Sequence, residues 1–124
     1  MKIAIIIVRS LLGLLFLFAS VSYFLHLFPK PELTGPMKVF NEGLDASGYI
    51  MNVVKAVELI CGALFITGRF VPLASVVIFP ITINIVLTHT FLAPEGLPVA
   101  LFVLLANLFL AYAYRSHYKG LFTN

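Results

Sequence analysis

Charge and thiols are what this chain has least of. Only 10% of its 124 residues are charged while 61% are hydrophobic, and the mean hydropathy is +1.08. That balance is too apolar for a soluble domain of this length and makes the bilayer the solvent. The net charge of +3 is small and scattered along the chain. No basic stripe interleaves with aromatics, so nucleic acid is excluded as a partner. The single cysteine, Cys61, can close no disulfide within the chain, and there is no CxxC pair. Thiol relay by this chain alone is excluded.

What is present is apolar sequence in four runs, 3–28, 46–67, 70–92 and 97–114. A helix needs about 20 residues at 1.5 Å each to cross a bilayer, so each run suffices. The expected fold is therefore all-α, one polytopic membrane four-helix domain over 1–124. Little chain remains for a soluble catalytic domain. Lys2 and the small residues Ala19-Ser20-Val21-Ser22 resemble a signal peptide. Arg9 interrupts its apolar stretch and Tyr23-Phe24-Leu25 continues past the cleavage site, so the first span is expected to be retained.

Short-loop charges set orientation. Lys2, Arg9, Arg69, Arg115 and Lys119 fall on one side; Lys30 and Lys38, with Glu32, Glu42 and Asp45, fall on the other. Both termini are expected in the cytoplasm, with Tyr112, Tyr114 and Tyr118 as an interfacial anchor. In the first loop, Pro29, Pro31, Gly35 and Pro36 break helix. Met37, Phe40 and Leu44 then recur at helical spacing, which predicts a short amphipathic helix; an ordinary loop with three sticky residues is the alternative. Gly68-Arg69 makes so tight a turn that the second and third spans must be antiparallel neighbours. Pro80 falls inside the third span, where it should kink the helix and free a carbonyl near Val76.

Ionisable residues at bilayer depth cost about 2.5–3.5 kcal/mol each on insertion scales, so they persist only when paired, wetted or used. Arg9, Lys55 and Glu58 are the three. Depth counted from the span ends places Arg9 within reach of Glu58, and Lys55 lies one turn from Glu58 on the same face. A triad results, with either a packing role or one in substrate or proton handling. Towards the outer side collect Tyr23, His26, Asn52, Asn84 and His89. His26 and His89 alone are too few ligands to expect a metal. Asn84 and Asn107 serve as interhelical hydrogen-bond glue or line a head-group pocket. Cys61, Gly13, Gly62, Ala63 and Ala106 read as small packing residues. A pocket opened by Pro80 is expected to touch Glu58, with Arg9 or Lys55 at its rim and Asn107 at the same depth.

Glu58-Leu59-Ile60-Cys61-Gly62-Ala63-Leu64, followed by Gly68-Arg69 and Pro72-Leu73-Ala74, resembles the E-L-x-x-G-x-L…G-R…A core of the DoxX family. Arg9 with Leu12-Gly13-Leu14 and Phe16 is similar to that family's R-x-x-L-G-L-x-F opening, and His89 matches a histidine often found near the end of the third span. The resemblance implies a four-helix protein of the bacterial inner membrane, with Arg9, Glu58 and His89 as family-like polar residues. Family members have been linked to thiosulfate:quinone oxidoreduction and to complexes handling thiol or oxidative stress. The bundle is also similar to vitamin K epoxide reductase, whose CxxC pair it lacks.

Two functions are in view. One is an accessory subunit of a quinone-linked redox or oxidative-stress complex, without independent catalysis and with no assigned catalytic residue. It has no intrinsic cofactor, binds a quinone or lipid, and works beside a redox protein partner or a second copy of itself. The other is a non-enzymatic scaffold or lipid-binding subunit whose buried charges fix helix packing. A solute transporter is disfavoured, because four short spans without a repeat make a poor alternating-access machine.

Overall fold

The computed structural model describes residues 2–27, 34–92 and 94–122. The expectations placed on Pro29, Lys30, Pro31 and Glu32 lie outside them. Five helices follow in order: α1 (Lys2–Leu25), α2 (Gly35–Ala46), α3 (Ile50–Thr67), α4 (Val71–Phe91) and α5 (Leu97–Ala113). Short 3-10 segments at Pro94–Gly96 and Arg115–Phe122 precede and follow α5. No strand occurs among the described residues. Four helices are long and apolar enough to cross a membrane: α1, α3, α4 and the run Pro94–Ala113. The protein is an all-α integral membrane bundle.

Each long helix buries one stripe. Leu12, Gly13, Phe16 and Ser20 turn inward from α1, and Glu58, Cys61, Gly62 and Phe65 from α3. Ala74, Ser75, Ile78 and Thr82 face in from α4, and Val103, Ala106, Asn107 and Leu110 from α5. The outward residues, such as Ile3, Leu14, Leu73 and Leu105, are exposed and apolar. In lipid that face gains nothing by leaving its solvent, so association rests on close packing. Two glycines make the closest approach. A Cβ on Gly13 would lie 2.9 Å from the Gly62 carbonyl oxygen, and one on Gly62 would lie 3.0 Å from that of Gly13. The α1–α3 pair closes over this contact, and Phe16 and Phe65 stack beside it at 6.5 Å.

Helix ends follow local chemistry. His26, in the left-handed region at φ 53°, stops α1, and the Leu27 N–H returns to the Ser22 carbonyl at 3.1 Å. Gly68, at φ 76°, ends α3 in the same way, with the Arg69 N–H on the Leu64 carbonyl. Pro36, Pro72 and Pro98 sit in first turns, where no N–H is needed. The second span starts at Ile50 rather than 46. The reason is Ser47, whose Oγ accepts the Ile50 N–H and turns the chain from α2 into α3. α4 runs as one helix through Pro80 from Val71 to Phe91.

α1 packs along α3 and α4 along α5, with fewer contacts between the two pairs. α2 is the amphipathic helix, with Met37, Phe40, Asn41 and Leu44 half-buried along one face and no residue fully buried. It lies over the end of the bundle opposite the N-terminus.

Candidate functional site

Between the two helix pairs, beneath α2, lies a cavity of about 460 Å³. Its walls are mostly apolar: Leu15, Phe16 and Ala19 from α1, Val54 from α3, Ile81 and Ile85 from α4, and Val103 from α5. Met37, Phe40 and Leu44 of α2 roof it. The same three apolar residues gave α2 its helical periodicity, so that pattern records a surface folded against the cavity. From Pro80 to His89, the α4 wall spans ten residues, whose nine steps cover about 13 Å at the helical rise.

Six polar side chains interrupt the walls: Asn41, Lys55, Glu58, Asn84, Thr88 and His89. Glu58 is 3% exposed. Lys55 Nζ stands 3.2 Å from its Oε2, one helical turn nearer the start of α3. That oxygen is buried and makes no aligned hydrogen bond, so the contact is chiefly coulombic. A carboxylate and an ammonium held this way offer a ligand either a hydrogen-bond donor or an acceptor at one point of an apolar wall.

His89, in the last turn of α4, marks one end of the cavity. Its Nδ1 lies 2.8 Å from the Ile85 carbonyl. A carbonyl oxygen only accepts, so Nδ1 carries the proton and the Nε2 lone pair of the neutral ring is left for another donor. The ring is pressed onto Gly96, where any Cβ would run into the imidazole. Gly96 has ordinary backbone angles (φ −92°), so close approach alone calls for glycine here.

Two of the sequence candidates lie elsewhere. Arg9 does not reach Glu58. Its Nη1 donates to the carbonyls of Phe65 and Ile66, at 2.9 and 3.2 Å, in the last turn of α3. Unpaired carbonyls at a helix C-terminus attract a cation, and those of α3 lie nearer to Arg9 than the carboxylate does. The three-residue charge cluster is therefore a pair, Lys55–Glu58, with Arg9 capping α3 at the N-terminal end of the bundle. Asn107 sits one turn beyond Val103, past the cavity floor, and its Nδ2 donates to the Ser75 carbonyl at 3.2 Å. It joins α5 to α4 as interhelical glue. Asn84, by contrast, faces the cavity.

Asn41 and Thr88 are the polar site residues that sequence reasoning missed. For Asn41 the available signal was its position on α2, one residue after Phe40 and on the face of Met37 and Leu44; for Thr88 it was its place beside His89. His26 is exposed at the end of α1, away from the cavity lining. No group of three or more His, Cys, Asp or Glu side chains capable of holding a metal occurs among the described residues. Cys61 is buried in the core with Phe16 and Phe65.

No curated protein and no solved structure matches the chain. The DoxX family model matches residues 4–91, from the first turn of α1 to the last residue of α4. That stretch carries Arg9, the Lys55–Glu58 pair, Asn84 and His89, and it is well over half of the sequence: the chain belongs to the DoxX family.

Proposed function

We propose that this DoxX-family membrane protein is an accessory subunit of a quinone-linked redox or oxidative-stress complex in a bacterial inner membrane, holding a quinone head group in the cavity beneath α2. The observation that carries the reading is one apolar-walled slot of about 460 Å³ with Lys55, Glu58, Asn84 and His89 converging on it. Its size and character are those of a small-molecule site, and intramembrane charges that line a cavity are functional candidates by default. Lys55 has protons to give to a carbonyl oxygen, Asn84 can donate to a second oxygen, and the His89 Nε2 lone pair can accept the O–H of the reduced, hydroquinone form. The chain has no thiol pair of its own, so electrons come from a partner protein. Both termini face the cytoplasm on the loop-charge balance, which puts α2 and the cavity roof on the outer side.

The competing reading is a scaffold or lipid-binding subunit. The geometry that favours it is the Lys55–Glu58 contact itself, because the two charges already neutralise each other within one helix.

Mass spectrometry of detergent-purified protein separates the two. Quinone is expected in the wild type at a constant ratio to protein, falling in Lys55→Met and in Glu58→Leu. A preparation with phospholipid but no quinone would favour the scaffold. Reporter fusions at Asn41 and after Asn124 are expected on opposite sides of the membrane.

A further inference from the structure

Beside the main cavity, towards the surface, lies a second recess of about 70 Å³ lined by Tyr23, Asp45, Asn52 and Tyr49 among others. Lys55 stands between the two. It lines the inner cavity, and its Nζ also lies 6.0 Å from the centre of the Tyr23 ring that walls the recess. The Tyr23 hydroxyl donates to Asn52 Oδ1 at 2.9 Å. Asn52, Lys55 and Glu58 follow at three-residue spacing, so they form one polar stripe on α3. Burial deepens along it: Asn52 is exposed, the Lys55 side chain is 18% exposed and that of Glu58 is 5% exposed.

We propose that this stripe is a proton conduit, in which water in the Tyr23–Asn52 recess exchanges protons with Lys55, and Lys55 with Glu58 at the cavity wall. The four-carbon stem of Lys55 lets its ammonium swing between the recess and the carboxylate, carrying three rotatable donors. The rest of the wall offers no other carrier near Glu58. α1 presents Leu15, Phe16 and Ala19, α5 presents Ala100 and Val103, and α4 presents Pro80, Ile81 and Asn84. Among the described residues His89 is the only other titratable group lining the cavity, at its far end from Glu58, and Asp45 and Tyr49 line the recess. The inference deepens the quinone reading, since a quinone head group gains or loses protons with its electrons, but proton exchange at Glu58 needs no ligand.

The test therefore omits ligand. Full-length protein in liposomes is subjected to a pH jump in the buffer, and the Glu58 carboxyl band is followed by infrared difference spectroscopy and assigned by its loss in Glu58→Gln. In the wild type the band follows the jump. Asn52→Leu and Tyr23→Phe are expected to slow it by about tenfold or more, as an added barrier does, with the final amplitude unchanged. A reversible plug guards against misfolding. In an Asn52→Cys, Cys61→Ala background, a bulky methanethiosulfonate added after folding should slow the response, and a reductant should restore it. Rates that ignore both the substitutions and the plug overturn the conduit, as does a Glu58 band that never responds to buffer pH. Absence of copurified quinone would overturn the proposed function and leave this result standing.

Discussion

The Arg9 guanidinium occupies the space that a Cβ on Gly68 would need. One glycine therefore serves two ends: it supplies the left-handed residue that stops α3 at φ 76°, and it leaves room for the cation that caps the last carbonyls of that helix. Gly68→Ala should cost about 1–2 kcal/mol for the left-handed backbone and displace Arg9 as well. Arg9→Gln should cost roughly 1.5–3 kcal/mol, the range for hydrogen bonds to a charged group. Because both changes break one contact, the double variant should lose less than the sum in a thermal-unfolding assay. Strict additivity would show that the cap is not shared.

Arg9 and Glu58 should behave as strangers. They have different partners, so the losses from Arg9→Gln and Glu58→Gln should add. Lys55 and Glu58 should not: either change alone leaves a charge or dipole unpaired, at roughly 1–3 kcal/mol, and Lys55→Met with Glu58→Gln should cost less than the two separately. Coupling of Arg9 to Glu58, rather than of Lys55, would contradict the geometry.

This pairing also marks how far the sequence could be read. Run length and turn residues identify the four spans, and the Met37–Phe40–Leu44 spacing offers α2 as one of two readings, the other being a loop. The i, i+3 relation makes Lys55 and Glu58 neighbours before any fold is known. Arg9 defeats that reasoning because its acceptors are backbone carbonyls, which no residue letter announces. Asn107 defeats it for a different reason. α5 is apolar on every face, so its rotation about its own axis leaves no trace in the pattern, and counting depth alone put Asn107 level with a cavity that ends a turn earlier.

Tyr118 ties the C-terminal 3-10 segment to the start of α4, its hydroxyl donating to the Pro72 carbonyl at 3.0 Å. Burial pushes its phenol above the ordinary value of 10.0, with the nearby Ser75 side chain opposing in part. The folded state thus holds this proton more tightly than the unfolded chain does. Its contribution is complete below about pH 10 and is lost as pH rises from there through the raised folded value. Tyr118→Phe should lower stability at neutral pH by about 0.5–1.5 kcal/mol and flatten the alkaline decline. An unchanged alkaline limb would place that titration on another group.

Cavity filling gives the sharpest separation between a ligand site and a packing defect. Ala19 is half-buried on α1 and lines the inner wall near Phe16, making none of the polar contacts described above. Ala19→Leu adds three carbons to empty space and gives the surrounding side chains atoms to pack against, so thermal stability should hold or rise. If the space belongs to a ligand, the same change should expel it, and the quinone copurified per protein should fall even though Lys55, Glu58 and His89 are untouched. Loss of quinone together with loss of fold would be uninformative for Ala19 alone, so Val54→Phe on the facing α3 wall provides the paired measurement. Two stable variants that keep their full complement of quinone would show that the ligand sits elsewhere on the bundle.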